Sequence, residues 1–353
     1  MINILQDKFA NQNTPYIDQD QVTFSWRGRT APRLEGDFTG WEDGKPVKLE
    51  KNGKGLWIYQ QRFPLDAYIE YSFVKGEEGL LDPSNPRKTP NGVGGFNNYF
   101  SMPDYLPTNL VKKNAIVKHG ILRQFAIVSD YLVSGHQRNI YLYQPPVTDP
   151  VPLLVVWDGL EYLKRVRLNI MVDNLIAQGR MQPIALAMVS NGGERSRNLE
   201  YSCNDATLGF LMTKIVPLAR KELNLIDIRS HPGEFGILGA SMGGLMALYT
   251  GARLPSIFGK VLSQSGAFSF GTFDMVVFDL LEHGLVRPLK VWLDIGNYDL
   301  PGILESNRRM RDILAGRGYS IFHREYNAGH NYPAWRDELW RGLEALFGLS
   351  SQS

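Results

Sequence analysis

Residues 236–249 read GILGASMGGLMALY. An apolar run that suits a buried strand gives way to Gly239-Ala240-Ser241-Met242-Gly243, and residues that suit a helix follow. The spacing is G-x-S-x-G in a strand–turn–helix setting. A serine at such a junction must take a strained backbone, and flanking glycines remove Cβ atoms that would collide with the adjoining strand and helix. Its hydroxyl then projects above the sheet at a helix N-terminus, where amide hydrogens favour negative charge. A glycine-rich packing turn with an incidental serine is the plain alternative. The strand and helix on either side favour a nucleophile.

A serine hydroxyl needs a base, and histidine is the usual one near neutral pH. Of six histidines, His119 and His136 precede the serine, whereas hydrolases with this turn order their residues serine, acid, histidine. His231 sits in a Pro-Gly turn, His283 at a helix end, and His323 inside the strand-like SIFHREY. His330 lies in the loop NAGHN, after that strand and before the helix-like WRDELWRGLEALFG. Open parallel sheets gather their sites at such strand ends, so His330 is the expected base. The acid should occupy another such loop. Asp299 follows the apolar VWLDIG by a few residues, and its carboxylate would hold the second imidazole nitrogen. Asp294, within the strand, and Glu305, in the next helix, are the competitors. Two backbone N–H groups should meet the oxyanion: that of Met242, after the serine, and that of Leu160, in the Asp158-Gly159-Leu160 turn after LLVVW. A plain turn leading into a helix also accounts for the latter.

These motifs fall in the second part of the chain, from residue 120 to 353. There, near-continuous apolar runs (VPLLVVWDG, PIALAMVSNGG) alternate with helical stretches such as YLKRVRLNIMVDNLIAQGR, LGFLMTKIVPLARKEL and NRRMRDILAGRGY. Strands covered on both faces, alternating with helices, predict an α/β fold with a mostly parallel central sheet. Residues 1–105 read differently: VTFSWRG, LEGDFTGW, GLWIYQQRF and AYIEYSFVKG are short aromatic and β-branched runs between turn clusters, which predicts a small antiparallel sandwich. Residues 106–119 form the expected linker.

Composition narrows the partners. With 353 residues, 43% of them hydrophobic, the chain can bury a large core. Its 38 Lys and Arg balance 36 Asp and Glu with no basic run, so neither nucleic acid nor an anionic membrane is expected. The single cysteine, Cys203, forms no internal disulfide, and MINILQDKFANQN lacks the basic and apolar regions of a secretory leader, which predicts a cytoplasmic protein. No apolar run is long enough for a membrane helix. Oligomeric state carries no signature here, and a homodimer is compatible with the sequence.

Two family resemblances can be added to this reading. Gly36, Asp37, Phe38, Gly40, Trp41, Trp57, Tyr71, Phe73, Asp82 and Pro83 resemble the "GDFNGW … W … Y.F..DG … DP" pattern of early-set immunoglobulin-like domains, which precede glycogen-branching enzymes and some esterases. Trp41 and Trp57 suit core packing better than a sugar platform. VVWDGLEY, NGGERSRNLEYSCNDATLGFLMTKIVP, GASMGGLMAL, FGKVLSQSGAF, LDIGNYDL and YNAGHNYPAWRDEL resemble the esterase family that includes esterase D, feruloyl esterases and the enterochelin esterases. That resemblance implies an α/β-hydrolase fold and hydrolysis of a small-molecule ester with no metal or organic cofactor. It also implies Ser241, Asp299 and His330 as the triad, with Leu160 and Met242 at the oxyanion positions. The sandwich fused in front is most similar to the enterochelin esterase arrangement.

Arg197 and Glu200 match the family's R-x-x-E-L, and an ordinary ion pair would explain them equally well. Trp157, Tyr162, Tyr298, Tyr332 and Trp335 are candidates to line an aromatic-tolerant pocket, or else members of the core. A ferric catecholate would call for an arginine cluster, and Arg195, Arg197 and Arg336 also suit structural roles. Besides an enterochelin-type esterase, the alternatives are a feruloyl or acetyl carbohydrate esterase, an acyltransferase with the same triad, and a non-catalytic carbohydrate-binding protein.

Overall fold

The computed structural model describes residues 14–41, 44–92 and 94–349. The stretch MINILQDKFANQN, read above for a leader, lies outside the described residues. The chain forms two compact units. One takes residues up to Pro107 together with Gly296–Pro301 and Glu325–Ala334; the other takes Thr108–Ile295, Gly302–Arg324 and the chain from Trp335.

The first unit is built on two sheets. Strands β1 (Tyr16–Asp18), β2 (Gln21–Arg27), β5 (Glu50–Lys51) and β6 (Leu56–Arg62) make one, in the order β1-β2-β6-β5. Strands β3 (Arg33–Gly36), β4 (Val47–Lys48), β7 (Tyr68–Lys75), β9 (Lys88–Pro90) and β10 (Phe96–Ser101) make the other, in the order β4-β3-β7-β10-β9, with β8 (Glu78–Leu80) also paired to β7. Alternate residues of β2 and β7 supply an aromatic core: the ring of Phe24 meets Tyr71 edge-on at 5.0 Å and Phe100 at 5.7 Å. Asp82 is buried and accepts from the hydroxyls of Thr14 (2.6 Å) and Tyr71 (2.8 Å), which gives the Asp-Pro of the sequence pattern its structural task. The indoles of Trp41 and Trp57 donate within the same unit, to Asp37 and to the Gly28 carbonyl.

The eight-stranded sheet has the order β11-β12-β14-β13-β15-β16-β19-β20. Its strands are β11 (Ile121–Val128), β12 (Gln137–Gln144), β13 (Leu153–Trp157), β14 (Ala185–Val189), β15 (Phe235–Ala240), β16 (Phe258–Gln264), β19 (Lys290–Gly296) and β20 (Ser320–Tyr326); β17 (Ser269–Phe270) and β18 (Phe273–Asp274) form a separate hairpin. The antiparallel β11 is exposed or half-buried throughout, whereas β13, β14, β15 and β16 are buried at every position. This is the signature of parallel strands covered on both faces, and β14, β13, β15, β16 and β19 do run parallel. The α/β expectation holds. Two helical stretches differ from expectation: Leu211–Ile215 is a wide π-turn between the helices Asp205–Phe210 and Val216–Glu222, and residues 162–180 do not form a single rod. Tyr162–Val166 is a wide π-turn, Arg167 takes a left-handed backbone at φ 57°, and a regular helix resumes over Leu168–Ala177. The wide turn leaves both Tyr162 and Val166 buried, a local deviation of the kind that kinks helices.

Candidate active site

Ser241 joins β15 to the helix Met242–Arg253 at φ 57° and ψ −123°, outside the regions open to an ordinary residue. Such a backbone costs on the order of 1–3 kcal/mol and survives only where its surroundings fix it. Here its N–H donates to the Gln264 carbonyl at 2.9 Å and its carbonyl accepts from the Ala267 N–H at 3.0 Å, so the turn is tied to the end of β16 and the loop beyond. Glycine is required at 239, where a Cβ would lie 2.2 Å from the Gly243 carbonyl oxygen. Met242 opens the helix, so its N–H has no partner of its own within that helix.

The loop after β13 is also strained. Asp158 is left-handed at φ 54°, and Gly159–Glu161 forms a short helical turn behind it, with Leu160 half-buried. The Asp158 carboxylate explains how the turn is held. Asn191 Nδ2 donates to it at 2.6 Å, and Arg197 grips both oxygens, Nε at 2.9 Å from Oδ1 and Nη2 at 2.7 Å from Oδ2. Arg197 Nη2 also reaches the Ala240 carbonyl at 3.3 Å, linking this loop to the residue before Ser241. The positive charge of Arg197, a candidate for substrate, is thus spent on Asp158. Glu200 accepts from both terminal nitrogens of buried Arg138, at 2.9 and 2.8 Å. Cys203 is no rival nucleophile, since burial pushes its thiol up to about 12.

Asp299 and His330 stand in the two loops that belong to the first unit. Asp299 lies three residues past β19, in a turn closed by its N–H to the Gly296 carbonyl at 3.1 Å. Its Oδ1 accepts from the Leu300 N–H at 2.7 Å and lies 2.8 Å from His330 Nδ1. The carboxylate is buried and the imidazole 18% exposed, a geometry in which the acid fixes the tautomer and orientation of the ring. The competing acids sit elsewhere. Asp294 is inside β19 with its Oδ2 accepting from Trp292 and Gln264, and Glu305 is exposed on the helix Pro301–Gly316. Among the other histidines, His119 pairs with buried Asp173 and His323 lies within β20.

Three of the aromatic candidates belong to the interior. Trp157 and Tyr162 are 1% and 0% exposed, and Trp335 is buried with its indole donating to Ser265 Oγ at 2.9 Å. An apolar ring next to a predicted site satisfies the same pattern whether it faces substrate or core, and burial decides for the core. Tyr298 and Tyr332 are half-buried; the Tyr298 ring packs 5.8 Å from Phe63. Two polar residues have a place beside these loops that the sequence motifs do not mark. Gln264, fully buried, accepts from the Tyr162 hydroxyl and donates to Asp294 and to the Trp335 carbonyl. Asp37 lies against the histidine loop, and the glycines bracketing it in GDFTGW were the available signal.

An eight-stranded sheet of this order, with a serine on a strained strand–helix turn, has the α/β-hydrolase fold. The family described as "Putative esterase" matches residues 132–346, and the chain belongs to that family. Among curated relatives, the iron(III) enterobactin esterase of Dickeya dadantii is 28% identical over 229 residues, 60% of this chain and 52% of that protein. The enzyme of the same name from Escherichia coli K12 is 27% identical over 202 residues, 56% and 50% of the two chains. Both matches thus span about half the length of the relative. An iron(III) salmochelin esterase of Escherichia coli O6:H1 is 24% identical over 94% of this chain and 88% of its own. A ferric enterobactin esterase from Salmonella typhimurium superposes with a TM-score of 0.76 at 21% identity, covering 97% of this chain and 98% of that one, a likeness that shows the fold. Among the described residues no helix is long and apolar enough to cross a membrane, and no group of three or more His, Cys, Asp or Glu could hold a metal ion.

Proposed function

We propose that the protein is a serine carboxylic-ester hydrolase of the enterochelin-esterase type, working through Ser241, His330 and Asp299 and an acyl-enzyme. Ser241 Oγ attacks the ester carbonyl carbon while its proton passes to His330 Nε2. Asp299, bound at Nδ1, stabilises the imidazolium that results. The N–H groups of Met242 and Leu160 meet the oxyanion; losing one such donor costs roughly 2.7–4 kcal/mol of barrier. The tetrahedral adduct collapses, the C–O bond breaks, and the alcohol leaves with the proton held by His330. Water then attacks the acyl-enzyme by the same route, giving the acid and free Ser241. The observation that carries this reading is the backbone of Ser241, held at φ 57° and ψ −123° by bonds to the Gln264 and Ala267 main chain.

The enterochelin-type substrate is supported by the names of the relatives and by the β-sheet unit that precedes the hydrolase sheet. Of the arginines weighed for a ferric catecholate, Arg197 and Arg336 are engaged by Asp158 and Asp337, and Arg195 is exposed. A panel of acetyl, butyryl, feruloyl and catecholate-serine esters, assayed on one preparation, separates these substrates. Added sugar or alcohol acceptors test for acyl transfer in place of hydrolysis. With p-nitrophenyl butyrate, Ser241→Ala should lower kcat by several orders of magnitude, about 10⁶-fold where such a nucleophile has been removed. Turnover equal to the unmodified protein would refute the triad.

A further inference from the structure

The motif GDFTGW marks a fold in the sequence, and hydrolysis as derived above makes no use of it. Its aspartate is not a surface turn residue. Asp37 is 4% exposed, in a one-turn helix over Asp37–Thr39 that ends at Gly40 with φ 74°. Oδ1 accepts from the Trp41 indole at 2.7 Å and Oδ2 from the Glu70 N–H at 2.8 Å, so the carboxyl group is fixed at both oxygens. Against it lies the residue before His330. A Cβ built on Gly329 would be 2.1 Å from both Cγ and Oδ1 of Asp37, so the carboxyl packs directly on the Gly329 backbone. The same loop is seated from other directions within the first unit. The Tyr68 N–H, at the start of β7, donates to the Asn327 carbonyl at 3.0 Å, and the Tyr298 N–H, beside Asp299, donates to the Ala328 carbonyl at 3.1 Å.

We propose that Asp37 is a positioning residue for ester hydrolysis, a buried carboxyl that seats the Asn327–His330 loop through Gly329 and sets a second acid behind the Asp299–His330 pair. The inference rests on the reading of His330 as the base. The charged or titratable groups facing Asp37 are Asp299 and His330 from the two loops and Tyr68 from β7; Trp41 and the Glu70 main chain contribute uncharged donors. Burial, first, and the Asp299 carboxylate hold Asp37 well above the usual carboxylate range, at about 7, although the Glu70 and Trp41 bonds and His330 pull the other way. Asp37 therefore changes charge near neutrality. Once ionised it favours the imidazolium form of His330, the form needed as the alcohol departs.

The test is the pH dependence of kcat/KM for Asp37→Asn beside the unmodified protein and Ser241→Ala, with p-nitrophenyl butyrate. Removing the charge should shift the acidic limb to lower pH by about half a unit and lower kcat at pH 8 by about tenfold, with KM within about twofold. A purely structural residue would lower activity by one factor at every pH and leave the limb in place. A profile superimposable on the unmodified one, with kcat within twofold, would overturn the proposal. Were Ser241→Ala to keep full turnover, the catalytic reading itself would fall, an outcome independent of Asp37. Should Asp37→Asn not fold, as judged by near-UV circular dichroism, Trp41→Phe replaces it. That variant keeps the carboxyl group, removes one donor to it and so leaves it protonated to higher pH. The acidic limb should again move down, by less, and an unmoved limb would overturn the proposal.

Discussion

The turn at Ser241 and the loop at His330 reach their conformations by opposite means. The serine turn is nearly self-contained: its strain, its glycine at 239 and the helix behind it lie within a few residues, and the added tethers come from the adjoining strand. The histidine loop has little local definition. It is placed by the Asp299 carboxylate, by the start of β7 and by Asp37, all distant in sequence. A short motif can specify the first, whereas the second depends on the fold around it.

The contrast can be attacked from its strongest point. Asp299→Asn should leave the serine turn intact and lower kcat by about 10⁴-fold, since an amide at this position favours the wrong imidazole tautomer. Steady-state kinetics with an unchanged circular dichroism spectrum would confirm it, and a loss below tenfold would break the assignment. Next are the two glycines. Gly239→Ala sets a methyl group 2.2 Å from the Gly243 carbonyl oxygen, and Gly329→Ala sets one 2.1 Å from Asp37 Cγ. Each should cost about 1–3 kcal/mol of stability from overpacking, read as a lower urea midpoint. The comparison predicts that adding Asp37→Gly recovers part of the urea midpoint lost in Gly329→Ala, with no recovery of kcat, whereas no single side-chain truncation recovers that of Gly239→Ala, because its obstruction is main chain.

Arg197→Met examines the other strained turn. It leaves Asp158, with a side chain 1% exposed, short of its bidentate partner, and should lower kcat by roughly 10²-fold through a misplaced Leu160 N–H, with a smaller change in KM. An equal rise in KM with kcat preserved would instead return Arg197 to a substrate role. The smallest effect concerns Asp294, which burial raises from the ordinary 3.8 to about 7. Folded Asp294 keeps its proton where the unfolded chain has lost it, so its contribution to stability is greatest below about pH 4 and declines as pH rises towards 7. Asp294→Asn can retain both bonds to Oδ2 and should flatten that decline, visible in Tm measured between pH 4.5 and 7. An identical slope in the two proteins would count against it.

What the sequence could reveal follows the same division. The α/β class, the strand before Ser241 and the helix after it are local patterns of apolar spacing and glycine, and they were readable. The Asp299–His330 hydrogen bond joins two loops that were each placed at a strand end, so their pairing could be anticipated from topology. The left-handed Arg167 could not, because nothing in YLKRVRLN distinguishes a wide turn from a regular one. Trp157, Tyr162 and Trp335 were ambiguous for a related reason: periodicity says that a ring is covered, not what covers it. Asp158 and Asp37 owe their environments to Arg197 and Gly329, partners that only the folded chain brings within reach.

The first unit is also discontinuous, taking in Gly296–Pro301 and Glu325–Ala334 after a long excursion through the second. On a ribosome adding about 5–20 residues per second, the strands before Pro107 are made roughly 11 to 45 s ahead of the end of the last of those segments. During that interval the nascent sandwich presents the start of β7 and the Asp37 carboxyl without the segment that will cover them. Its completion is a late event in biosynthesis, and that waiting edge is where a chaperone would have most to protect.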